Sequence, residues 1–180
     1  SLEKLIQYYK EYPDTKNLLQ GPLVYDDLKT ISTHFDPVWR GHMYGIWATD
    51  ERGTKPSAAP FEIPMQGMGA FTCRKDSWPG FNNKFKGFGG EEGYIHEKFR
   101  QAGNKTLCLP FLRWLHRFER PSGVKYNLDL TDRIWNYFIG FLENGQDCQS
   151  IIDHFSESLD VSVVEGIYKN VKHFFVRRLC

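Results

Sequence analysis

The chain has 180 residues, 23 of them basic and 22 acidic, for a net charge of +1. One domain of that length can bury a core, and 41% hydrophobic with 25% charged residues is the balance of a folded globular protein rather than a disordered one. With charge near zero there is no basic field to neutralise phosphates, which excludes nucleic acid as the main partner.

Aromatic residues reach 16%, with 14 Phe, 9 Tyr and 5 Trp. That suits a Phe-rich core and equally a cleft that stacks against ring-shaped ligands. Cys73, Cys108, Cys148 and Cys180 stand far apart with no CxxC pair, so neither a thiolate zinc site nor a dense disulfide framework is expected. The same usage favours a soluble, cytoplasmic setting over a secreted one. No apolar run approaches the roughly 20 residues of a membrane-spanning helix, and Ser1 to Tyr9 has helical periodicity in place of a basic leader.

Leu2, Leu5, Ile6 and Tyr9 follow the i, i+3, i+4, i+7 rule and predict an opening amphipathic helix that Pro13 ends. Asn17–Tyr25 reads as a strand broken at Gly21-Pro22. From Asp36 to Pro64 the sequence is irregular, a binding-loop or lid pattern carrying Trp39, Tyr44 and Trp47. Pro64–Cys73 is a short apolar strand holding Gly67 and Gly69, which mark either close backbone approach to a ligand or a bulge. Phe81–Gly90 is a Gly-rich loop leading into a helix over Glu91–Ala102, with Gly103 at its C-terminal cap. Lys105–Leu112 reads as a strand and Thr131–Leu142 as an apolar helix closed by Gly145. Two more helices follow, near 149–158 and 162–176, the second with a Ser162/Glu165 capping box.

Three constellations are able to carry chemistry. Gly89-Gly90-Glu91-Glu92 opens a helix, where free N–H groups and the dipole stabilise carboxylates; such acids serve as plain caps or as a base that takes a proton from an attacking hydroxyl. His116 is either a ligand for Mn²⁺ or Zn²⁺ or a structural imidazole among aromatics. Arg113, Arg117 and Arg120, interleaved with Trp114 and Phe118, form a phosphate grip or a solvated edge.

In order, these pieces resemble the second half of GT-A glycosyltransferases, the family 2 enzymes and related galactosyl- and N-acetylgalactosaminyl-transferases, over about residues 1–120. The likeness lies in the helix SLEKLIQYYKEYP, the strand LLQGPLVYDD, the segment Met65-Gln66-Gly67-Met68-Gly69-Ala70-Phe71, then Arg74-Lys75-Asp76-Ser77-Trp78, and Phe88-Gly89-Gly90-Glu91-Glu92 before a strand and His116. The resemblance implies a partial GT-A α/β fold with a mixed sheet, lacking the N-terminal nucleotide-binding strands. It divides the chain into an acceptor-side catalytic part over residues 1–125 and a C-terminal helical extension over 126–180. No Asp-x-Asp, the family's metal and diphosphate motif, occurs in the 180 residues, so the chain is expected to be a fragment.

What the resemblance implies for function is metal-dependent transfer of a hexose from a UDP- or GDP-linked donor to a glycan or other hydroxyl acceptor, with inversion. Glu92 is then the general base and Glu91 holds the acceptor sugar. Gly67, Gly69, Trp78, Phe88, Gly89, Gly90, Arg113 and Arg117 line the substrate site, and His116 binds Mn²⁺ or Mg²⁺. The alternative is a non-catalytic carbohydrate-binding module that uses its rings as stacking platforms.

Overall fold

The computed structural model describes residues 2–176; the side chains of Glu92 and Val176, and with the termini Cys180, lie outside what it describes. Helix α1 (Leu2–Glu11) stops two residues before Pro13, as its periodicity predicts. It buries no residue fully and is tied down by Tyr9, whose hydroxyl is 3.0 Å from that of Thr72. The broken strand appears as β1 (Leu18–Gln20) and β2 (Leu23–Val24), separated at Gly21-Pro22. The short β3 (Ile31–Ser32) pairs antiparallel with β2.

The first part of the stretch expected to be irregular, from Asp36 on, belongs instead to a hairpin of β4 (His34–Arg40) and β5 (Met43–Ala48). Its register shifts between Asp36 and Trp39, so Pro37 falls where the ladder is already interrupted and costs no hydrogen bond. Phe35 opposes Trp47 across the pair, with ring centroids 4.0 Å apart. After the short β6 (Phe61–Glu62), the expected strand over 64–73 is reduced to two isolated bridges, Phe35 with Met65 and Leu19 with Thr72.

Helix α2 (Glu92–Gln101) ends at Gly103, whose left-handed φ of 77° supplies the predicted cap. Strand β7 (Thr106–Cys108) is shorter than its apolar run because Pro110 turns the chain, and β8 (Trp114–Leu115) follows. Two small mixed sheets result. In one, β7 lies between β1, parallel to it, and β6, antiparallel; in the other, β2 lies between β3 and the parallel β8.

Helix α3 (Leu130–Glu143) is buried from Ile134 through Gly140 on all sides, as its nearly unbroken apolar run requires. One side meets α4 (Gln149–Ser156) and α5 (Val161–Val176) through Phe138, Ile151, Phe155, Val164 and Val171. The other meets α2, where Gly140 leaves only 3.3 Å between an added Cβ and the Tyr94 ring. Asp160, not Ser162, caps α5: its carboxylate accepts from the Ser162 N–H at 2.8 Å and from the Ser162 hydroxyl at 2.6 Å. The longer-reaching acid two residues before Ser162 takes the N-cap role, and Ser162 becomes part of the first turn.

The chain is therefore mixed α/β, with small mixed sheets and five helices among the described residues. None of those helices is long and apolar enough to cross a membrane. The helices after residue 126 pack directly on the earlier part: the Tyr44 N–H donates to the Tyr137 hydroxyl at 2.9 Å, and Asn136 bonds both the N–H and the carbonyl of Lys86.

Candidate functional site

One cavity of about 470 Å³ gathers much of the chemistry that the sequence singles out. Its size falls within the roughly 300–1,000 Å³ typical of small-molecule sites. Gly67, Met68 and Gly69 line one side, Phe88, Gly89, Gly90 and Glu91 another, and Trp114, His116 and Phe118 a third. Arg133 and Tyr137 of α3 complete it, with Phe35 and Trp47 from the hairpin.

The two glycines of the Gly67–Gly69 strip make room for tryptophans. A Cβ on Gly69 would stand 2.7 Å from the Trp114 ring, and one on Gly67 3.4 Å from Trp47. Trp114 cannot readily yield, because its indole N–H donates to the Gly21 carbonyl at 3.1 Å. Between the two readings of these glycines, the close approach observed is to aromatic rings that themselves face the cavity.

The Gly89-Gly90 pair has a stronger backbone requirement. Its φ angles of 99° and 90° are left-handed, and side chains there would meet Arg133 at 2.5 Å and Asn136 at 3.0 Å. The Asn136 amide donates to the Gly89 carbonyl at 2.9 Å and holds the turn. The turn delivers Glu91 to the cavity wall as α2 begins. Burial pushes the Glu91 carboxyl above the ordinary range, while its own backbone N–H and the Arg133 charge pull the other way. A carboxyl raised in this manner sits nearer the pH at which a base works best.

Alternation along an extended chain sorts the residues around β8. Trp114, His116, Phe118 and Arg120 face the cavity, and Arg113 and Arg117, one step out of phase, are not among its lining residues. Arg113 donates to the Thr54 carbonyl at 2.7 Å, and Arg117 is exposed. Trp78 also lies elsewhere, stacked on Phe71 at 5.1 Å and packed against the cluster of Leu18, Tyr94, Ile95 and Phe99. Sequence reasoning passed over Arg133, Tyr137 and Tyr126, which line the cavity from positions beyond the recognisable motifs. Tyr126 stacks on Phe88 at 4.7 Å and its hydroxyl accepts from Arg120 at 2.8 Å.

The His116 imidazole lies 4.1 Å from the Phe118 ring centroid, and its Nδ1 is buried without a hydrogen-bond partner. Burial and the nearby Arg120 charge push its pKa down, against the pull of Asp26. A neutral imidazole with a free nitrogen fits the donor chemistry of one ligand to a divalent ion. Among the described residues, no three His, Cys, Asp or Glu side chains converge on a common point, so His116 belongs to no three-ligand protein cluster there.

His96, four residues beyond Glu92, is fully buried. Its Nε2 is 3.0 Å from the Gln66 N–H and 2.6 Å from Gln20 Oε1, while the Gln20 amide donates to the Gly67 carbonyl at 2.9 Å. This places His96 in the support behind the Gly67 strip rather than in the cavity. No protein-family model matches the chain, and no curated protein matches it.

Proposed function

We propose that the chain carries the acceptor-side and general-base part of a GT-A type glycosyltransferase. The activity is transfer of a hexose from a UDP- or GDP-linked donor to a glycan or other hydroxyl acceptor. The observation that supports this most is the convergence of Gly67, Gly69, Phe88-Gly89-Gly90-Glu91 and His116, drawn from separate stretches of sequence, on one cavity walled by rings. Trp47, Trp114, Phe88 and Tyr126 offer apolar faces of the kind that pack on sugar rings.

Of the acid pair Glu91-Glu92, the Glu92 side chain lies outside what the structure describes, and that of Glu91 lines the cavity. It accepts the proton of the acceptor hydroxyl as that oxygen attacks the anomeric carbon, and attack from the face opposite the leaving group gives inversion. Arg120 and Arg133 bring positive charge to the same cavity for the departing diphosphate. A divalent ion such as Mn²⁺ or Mg²⁺, held by the donor's diphosphate and by His116, would neutralise that charge.

The test is nucleotide release and sugar transfer over a panel of UDP- and GDP-hexoses with glycan acceptors. Glu91→Gln should reduce turnover about 10²- to 10⁴-fold, the usual worth of a general base, and Glu92→Gln much less. Normal turnover in Glu91→Gln with loss in Glu92→Gln would move the base to Glu92. Unchanged metal affinity in His116→Ala would remove its ligand role. Glycan binding that survives loss of both acids, with no transfer from any donor, would mark a carbohydrate-binding module instead.

A further inference from the structure

Arg133 belongs to α3, outside the stretch that carries the glycosyltransferase resemblance, yet its guanidinium is seated inside the site. It lies so close to the Gly89 backbone that any Cβ there would stand 2.5 Å from Nε and 3.1 Å from Cζ. Its Nη1 donates to the His42 carbonyl at 3.2 Å, at the hairpin turn, and Cζ is 5.9 Å from the Phe88 ring centroid. The guanidinium thus lies between the Phe88-Gly89 loop and the hairpin turn at His42, beside the loop two residues in sequence from the point where Glu91 enters.

The other ionisable groups around the cavity are His116, Arg120 and Tyr126 from the β8 segment and Tyr137 from α3. Arg120 is engaged with the Tyr126 hydroxyl and acts on His116, whereas the charge acting on Glu91 is that of Arg133. A carboxyl this buried loses hydration and holds a proton unless a fixed cation restores the balance.

We propose that Arg133 is a positioning residue of this site: laid across Gly89 from α3 and lining the same cavity as Glu91, its guanidinium opposes the effect of burial on Glu91 and favours the form that takes a proton. The inference rests on the reading of Glu91 as the proton acceptor. It also makes the C-terminal helices part of the working site, since α4 and α5 hold α3 in place. The glycine at position 89 then has two physical duties, a left-handed turn and a seat for the guanidinium.

The decisive measurement needs no donor or acceptor. With ¹³C-carboxyl-labelled glutamate, the Glu91 resonance is assigned by its loss in Glu91→Gln and titrated in wild-type, Arg133→Met and Arg133→Lys chains. Arg133→Met should move the Glu91 midpoint upward in pH, and Arg133→Lys, which keeps the charge, should restore most of it. An unmoved midpoint in Arg133→Met, or an equal displacement in Arg133→Lys, overturns the proposal. If Arg133→Met does not fold, Arg133→Gln keeps a donor for the His42 carbonyl and carries the same expectation. In transfer assays, the acid limb of kcat/KM should shift to higher pH in Arg133→Met, whatever the height of its plateau; an acid limb that stays at the wild-type pH overturns the role. A shifted midpoint in a chain that transfers no sugar refutes the reaction assigned above and leaves the Arg133–Glu91 coupling standing.

Discussion

Removing the Glu143 carboxylate should loosen the platform from which the acidic loop is presented. Glu143, at the end of α3, accepts from the Asn82 amide at 2.5 Å and the Tyr94 hydroxyl at 2.8 Å through Oε2, and from Lys98 at 2.9 Å through Oε1. One carboxylate thus joins α2, α3 and the loop that runs to Gly89-Gly90. A hydrogen bond to a charged group contributes about 1.5–3 kcal/mol, but the three are not additive. Lys98 also keeps a bond to the Tyr94 hydroxyl at 2.8 Å after truncation. A net loss of about 2–3 kcal/mol for Glu143→Ala follows, or roughly 4–12 °C in Tm for a chain of this size.

The effect carries a pH signature. Burial pushes the Glu143 carboxyl up, but hydrogen bonds from Asn82, Lys98 and Tyr94 outweigh it and hold the group below its ordinary value of 4.5. A group with a lowered folded-state pKa contributes stability that is complete above its unfolded value and lost as pH falls through the folded one. Urea unfolding at pH 7 and again at pH 3 should show the wild-type advantage over Glu143→Gln shrinking across that interval. Equal stabilities of wild type and Glu143→Ala at pH 7, within about 0.5 kcal/mol, or a difference indifferent to pH, would refute the reasoning.

Gly21→Ala should be among the most damaging single-atom additions, because its Cβ would lie 1.7 Å from the Leu112 carbonyl oxygen, a backbone atom that cannot swing aside. Overpacking of this kind costs about 1–3 kcal/mol or more, and a melting curve within 2 °C of wild type (roughly 1 kcal/mol or less) would contradict it. Gly69→Ala should tilt the Trp114 ring and shift the tryptophan emission; unaltered emission would mean that the strip has more room than 2.7 Å suggests. Burial pushes the Cys108 and Cys148 thiols up to about 12 and 11. Both should therefore resist alkylation of the native chain at pH 8, checked by peptide mass mapping with and without denaturant, while the partly exposed Cys73 reacts before either of them.

Much of the helical structure was readable because it is governed by local rules. The apolar spacing of Leu2, Leu5, Ile6 and Tyr9 and the closing glycines 103 and 145 act within one turn of where they stand. The hairpin over 34–48 was not readable, since Pro37, Gly41 and Gly45 are all strand breakers by type. Only the bulge, and the packing of Phe35 on Trp47, show how a pair of strands accommodates them. For the site, Gly67, Gly69, Phe88, Gly89, Gly90, Glu91 and His116, each marked in the sequence by type or motif, line one cavity. Arg113 and Arg117 were chosen by chemical type, and the two-residue period of an extended chain turns them away from His116. Arg133 bears no motif, and its approach to Gly89 exists only once α3 has docked.

The two parallel pairings, β1 with β7 and β2 with β8, bear on how this chain reaches its native state. The contact that opens the first of them, from the Lys105 N–H to the Asn17 side chain, spans 88 residues of sequence. Closing so long a loop is entropically costly before any contact rewards it, so these pairings form late and place the chain among slower folders. The cavity walls hang from those same strands: Gly67 through Gln20 on β1, and Trp114 and His116 on or beside β8. Ligand-binding competence should therefore emerge in the last kinetic phase of refolding, after the helical signal has already recovered.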